Sequence, residues 1–145
     1  KKFYNFYFEV PCDLITGTVG SSGQQVATAE VHLSDQQTLR FAETADPELL
    51  KSYDGHHIAI YLSDFKACYD RASAHNLNWN NPRFPNTTYD TWELAQKHNE
   101  FRVLDFVDPD DVSRTGVFRL EHEVRSLNHP GFIAHTKAFG SQNGS

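Results

Sequence analysis

Residues 57–62 set Ile58, Ile60 and Leu62 on one side of an extended chain and His57, Ala59 and Tyr61 on the other. Successive side chains of a strand point to opposite faces, so this segment predicts a strand. Residues 117–124 repeat the arrangement: Phe118, Leu120 and Val124 form the apolar set, and Arg119, Glu121 and Glu123 share the second face. Two strands that are greasy beneath and carry ionisable groups above look like the lining of a polar cavity.

The remaining pattern supplies the frame around them. Residues 3–10 place aromatics between Asn5 and Glu9 and then meet Pro11, which predicts a strand ended by a breaker. The Gly- and Ser-rich stretch 17–23 predicts a loop, and residues 25–33 and 38–43 predict a hairpin across Ser34-Asp35-Gln36-Gln37. Asp46-Pro47 predicts a short helical turn in the connector 45–54. After the strand at 56–62, Phe65, Cys68, Tyr69 and Ala72 recur at helical spacing, giving a helix over about 63–75. Residues 76–79 predict a short strand, 80–86 a Pro-rich loop, and 89–99 a second helix with Asp90 as cap. A strand at 101–107, a turn at Asp108-Pro109-Asp110-Asp111 and the strand at 117–124 complete the order. The coarse reading is β-β-β followed by β-α-β-β-β, with an irregular tail over 125–145.

A length of 145 residues predicts one domain. A formal charge of −6 with no basic run argues against nucleic acid or an anionic membrane as partner, and leaves small molecules or proteins. No apolar run approaches a membrane span. Cys12 and Cys68 are too few for a disulfide scaffold, which predicts reduced thiols and a cytoplasmic protein. Methionine is absent, position 1 included, and we expect the true N-terminus to lie upstream.

Imidazole nitrogen with carboxylate oxygen is a common ligand pair for divalent zinc, iron, manganese or nickel, which makes His57 and Glu121 candidate metal ligands. The alternative for each is a side chain that hydrogen-bonds a neighbour in the cavity wall. His32 shares a strand face with Glu30 and is a candidate third ligand or general base. Tyr61, Arg119 and Glu123 are candidates for orienting a substrate carbonyl or carboxylate; the competing reading is a surface ion pair worth little. His122, His129 and His135 read as solvated. Trp79, Phe84, Tyr89 and Trp92 flank the Pro-rich loop, where they would cap a ligand or close the edge of the core.

Gly55-His56-His57-Ile58-Ala59-Ile60-Tyr61-Leu62-Ser63-Asp64-Phe65, the helix after it, and Asp105-Phe106-Val107-Asp108-Pro109-Asp110 with Phe118-Arg119-Leu120-Glu121-His122 resemble one βαβββ module of the vicinal oxygen chelate superfamily. That superfamily includes glyoxalase I, extradiol dioxygenases and bleomycin resistance proteins. The resemblance spans residues 55–124, with 3–43 as the βββ remainder of a first module. It implies an α+β fold whose curved mixed sheet encloses a cavity, and a divalent metal held by His57 from the first strand and Glu121 from the last. A glyoxalase-like metalloenzyme would chelate vicinal oxygens of a small substrate there, as isomerase, lyase or dioxygenase, with Glu121 or His32 moving the proton. The alternatives are a metal-free binding protein that sequesters a planar small molecule, and a degenerate module serving assembly. A homodimer would cover the edges of the half-module. The chain departs from the pattern in three places. No strand and helix precede Phe3; residues 38–43 carry no glutamate in register with Glu121, Glu43 and Arg40 being nearest; and the Asp-Pro-Asp turn lacks an adjacent glycine.

Overall fold

The computed structural model describes residues 1–19, 23–46, 53–113 and 118–132. The chain is α+β, with two small open sheets and few helices. It divides into two compact units, Lys1–Asp54 with Phe106–Thr115, and Gly55–Asp105 with Gly116–Ser145. The segment around Asp108-Pro109-Asp110 thus belongs with the N-terminal unit. The helical turn expected from Pro47 and the tail beyond residue 132 lie outside the described residues.

In the first unit a π-helical turn, Tyr4–Phe8, precedes three antiparallel strands: β1 (Cys12–Val19), β2 (Gln24–Ser34) and β3 (Gln37–Ala42), with β2 central. The strand expected over 3–10 is therefore a helix. Phe3, Tyr4, Tyr7 and Phe8 are all buried, a spacing that one helical face supplies and a strand would split between two faces. Phe3 stacks on Phe106 at 4.5 Å, and Tyr4 meets Phe41 and Phe106 at 5.7 Å, so six aromatic rings form this unit's core. The loop expected over 17–23 is also corrected: β1 runs through Gly17 and Thr18, which pair with Val26 and Gln25. The 25–43 hairpin forms as expected, in the register Val31 to Leu39 and Glu30 to Arg40.

In the second unit the sheet order is β4-β6-β5, built from β4 (His57–Leu62), β5 (Glu100–Asp105) and β6 (Arg119–Ser126). β4 runs parallel to β6, and β5 antiparallel to it. Asn78 adds a single bridge to Val103 on the outer side of β5. Helix α1 (Phe65–Ala74) is capped by Asp64, whose carboxylate accepts from Ala67 N–H. Its buried stripe of Phe65, Cys68, Tyr69 and Ala72 covers one face of the sheet, with Phe65 and Tyr69 against Phe101 at 5.5 and 5.3 Å. Helix α2 (Trp92–His98) starts one residue later than its expected cap: Thr91 accepts from Leu94 N–H, while Asp90 instead accepts from the Asn80 amide. Both cysteines are buried and free. No helix among the described residues is long and apolar enough to cross a membrane.

The apolar face contains one polar intruder. His122, read from sequence as solvated, is fully buried beside Val103 and Val124, whereas Phe118, assigned to the core, is half exposed. The His122 Nδ1 lies 2.7 Å from the Leu120 carbonyl, and burial lowers its pKa to about 4 despite that bond. Because the folded value lies below the ordinary 6.5, the unfolded chain takes up the proton first. Stability is then complete above pH 6.5 and lost as the pH falls toward 4, by about 3 kcal/mol. His129, lowered by burial and by Arg125, acts in the same direction. Urea unfolding of His122→Leu, followed through Trp79 and Trp92, is expected to show a flatter profile between pH 6.5 and 4.5; an unchanged slope would assign the effect elsewhere.

Candidate functional site

The opposite face of the second sheet is a lattice of charges. Alternation places Glu100 and Arg102 on this side of β5, because Phe101 and Val103 are buried on the other, Phe101 against α1. Register then sets Arg102 beside Glu123, Glu100 beside Arg125, and His57 beside Glu121. Four groups close a ring of alternating sign. Arg102 reaches Glu100 at 3.0 Å and Glu123 at 3.1 Å, and Arg125 reaches Glu100 at 2.9 Å and Glu123 at 2.6 Å. Glu121 attaches to this ring through Arg102 Nη1, and Asn81 Nδ2 donates to both its oxygens at 3.3 Å.

These charges are nearly dry. Glu100, Glu121 and Glu123 are all buried, and the Arg102 side chain is only 12% exposed. An isolated buried charge would be prohibitively costly, so pairing on every side is what allows the cluster to exist. The electrostatics follow. Burial opposes ionisation of Glu100, yet the Tyr89 hydroxyl, Arg102 and Arg125 together hold its carboxyl below the ordinary range. Burial likewise acts against the Arg102 cation, and its hydrogen bonds and carboxylate neighbours more than offset it. Tyr89 is pushed up to about 12, first by burial and then by its 2.7 Å bond to Glu100, so it stays a neutral donor.

A cavity of about 210 Å³ opens over this lattice, lined by Phe84, Thr87, Tyr89, His98, Glu100, Arg102 and His129. The loop over 80–91 shapes it. Asn80 Oδ1 accepts from Tyr89 N–H, and Asn81 Oδ1 accepts from Arg83 N–H, so two asparagine side chains add to the backbone turns at Phe84 and Thr87 in holding the loop. Phe84 lies on the rim with Arg102 Cζ 5.2 Å from its ring. Of the aromatics flanking the loop, Phe84 and Tyr89 line the cavity; Trp92, half-buried, packs against the core residues Phe65 and Tyr69.

The residues expected to form the site fare differently. His57 and Glu121 are direct neighbours in register on one face. Their surroundings differ: the His57 side is exposed, with Nδ1 3.2 Å from the Gly55 carbonyl, and Glu121 is buried under Arg102 and Asn81. His32 lies on β2 of the first unit, 3.2 Å from Asp13, and neighbouring Glu30 is paired with Arg40. Tyr61 accepts from Arg125 and packs against Phe132 at 5.4 Å. Arg119 is exposed and donates to Asp105, beyond the lattice, and Glu123 is a corner of the ring. Among the described residues, no three His, Cys, Asp or Glu side chains gather as a metal ion requires. The donor set does not fit the implied metal: one of its two residues is engaged by a guanidinium and an amide.

Sequence reading missed Glu100, Arg102, Arg125, Asn81, His98 and His129. The signal for the first two was the alternation Glu100-Phe101-Arg102-Val103, the same pattern that singled out β4 and β6. Nothing local marked the others: Asn81 lies in the loop, His98 ends α2, Arg125 is near the end of β6 and His129 follows that strand. No protein-family model, curated protein or solved structure matches the chain.

Proposed function

We propose that this chain is a small-molecule-binding protein built on a glyoxalase-like module, and that its pocket works without a metal. The module reading is supported by strand order. β4 lies parallel beside β6, β6 is antiparallel to β5, and Asn78 bridges to β5 beyond it, a β-α-β-β-β succession whose second strand is reduced to one bridge and is followed by the inserted helix α2. The observation that carries the binding reading is the engagement of Glu121 by Arg102 and Asn81 beneath a separate, aromatic-rimmed cavity. Sites for small ligands combine such a concavity with a few fixed polar groups, and about 210 Å³ is below the roughly 300–1,000 Å³ of drug-sized pockets. A ligand of single-ring size fits that space.

The metalloenzyme reading draws on one fact, the register pairing of His57 with Glu121. For it to operate, Glu121 would exchange a buried guanidinium for an ion, leaving Arg102 to be re-satisfied. The test is a fragment titration followed by NMR in the presence of chelator. Shifts confined to Phe84, Tyr89, His98 and His129 are expected; shifts that arise only after zinc is added, and centre on His57, would contradict the proposal.

A further inference from the structure

We infer that the ligand of this pocket is a small organic cation carrying a planar ring, an inference that rests on the binding reading above. The first ground is what the pocket lacks. Arg102 is the one arginine on its lining among the described residues, and each of its three nitrogens already meets a carboxylate: Nε and Nη2 at Glu100, Nη2 also at Glu123, and Nη1 at Glu121. The nitrogens of Arg125 are taken in the same way by Glu100, Glu123 and the Tyr61 hydroxyl. A carboxylate or phosphate entering here would have to displace a buried carboxylate to gain a guanidinium, and it would meet three carboxylates around Arg102 at close range.

The second ground is what the pocket offers. Four of its seven lining residues carry rings, Phe84, Tyr89, His98 and His129; Tyr89 is buried and Phe84 is exposed. Tyr89 and His98 pack edge to face on each other at 5.9 Å. Phe84 already carries a guanidinium at 5.2 Å and stays 52% exposed, so it is an aromatic surface suited to cations at the entrance. The Glu100 carboxylate on the same lining is held by Tyr89, Arg102 and Arg125, but the cluster sets three carboxylates, Glu100, Glu121 and Glu123, against two guanidiniums, Arg102 and Arg125, and so keeps an excess of one negative charge beneath the pocket. Burial and the Arg125 charge hold His129 toward its neutral form, so it adds no fixed positive charge. An exposed ring face over a paired cluster that retains one excess negative charge selects a cation over an anion.

Benzamidine, benzamide and benzoate are isosteres that differ in charge, and titrating each into the full chain with NMR detection separates the cases. Benzamidine is expected to shift Phe84, Tyr89, His98 and His129 and to bind about tenfold more tightly than benzamide, with benzoate undetected. Phe84→Leu, on the exposed rim, is expected to weaken benzamidine about threefold and leave benzamide unchanged. If benzamide or benzoate binds in this pocket as well as benzamidine, or Phe84→Leu weakens both amide and amidine equally, the charge assignment is overturned while the binding reading stands. If none of the three perturbs these residues, the binding reading falls with it.

Discussion

Replacing Arg102 with methionine is expected to destabilise the second unit by about 3–5 kcal/mol at pH 7, the largest effect of any single substitution considered for this chain. Glu100, Glu121 and Glu123 converge on this one guanidinium, and all three are buried. Methionine fills similar space but leaves carboxylates facing each other with Arg125 as their remaining arginine in the ring. Lysine retains the charge but not the planar fork that meets three partners, so Arg102→Lys is expected to recover only part of the loss. The pH dependence has a definite sign. The folded pKa of Glu100 lies below its ordinary 4.5, so its share of stability is present above 4.5 and is lost as pH falls through the folded value. Protonation removes the repulsion in the variant, and the gap from wild type narrows in acid. Urea unfolding read by tryptophan fluorescence checks both parts, since Trp79 and Trp92 both belong to this unit. A loss under about 1 kcal/mol would show that water, rather than Arg102, compensates these carboxylates.

The second large effect is an asymmetry. Glu121→Ala is expected to cost about 2–3 kcal/mol, because it removes a buried partner from Arg102 and from the Asn81 amide together. His57→Ala is expected to fall within about 0.5 kcal/mol of wild type, since the imidazole is exposed and its bond is a local one to the Gly55 carbonyl. A metal held by both side chains would reverse this expectation. Either substitution would then abolish the same zinc-dependent gain in stability, whatever its effect in chelator. Measuring both variants with chelator and with added zinc decides between them.

How much of this was visible in the chain follows from which signals are local. Period-two alternation located β4 and β6, and it placed His57 and Glu121 on corresponding faces; the parallel register that makes them neighbours bears this out. The i, i+3, i+4, i+7 stripe located α1. Alternation failed at 3–10 because aromatics occupy so many positions there that strand and helix periods both match; only the burial of Phe3, Tyr4, Tyr7 and Phe8 separates them. The glycines at 17–23 suggested a loop, yet Gly17 sits close over Thr28 in the ladder, where an added Cβ would lie 2.6 Å from the Thr28 hydroxyl oxygen. The charge lattice was half legible. Each polar face could be read strand by strand, but which carboxylate meets which guanidinium depends on sheet order, and sheet order is set by pairings distant in sequence. That is why Glu121 reads as a free ligand in one strand and as an anchor for Arg102 once β5 lies beside β6.

The interaction between Arg102 and Glu121 is the point on which the reading turns, and a double-mutant cycle measures it directly. Arg102→Met, Glu121→Gln and the double variant are compared with wild type by urea unfolding in chelator. A coupling above about 2 kcal/mol is expected for a desolvated pair of this kind. Additivity within about 0.5 kcal/mol would mean that the two side chains do not hold each other, and would return Glu121 to the role of an available ligand.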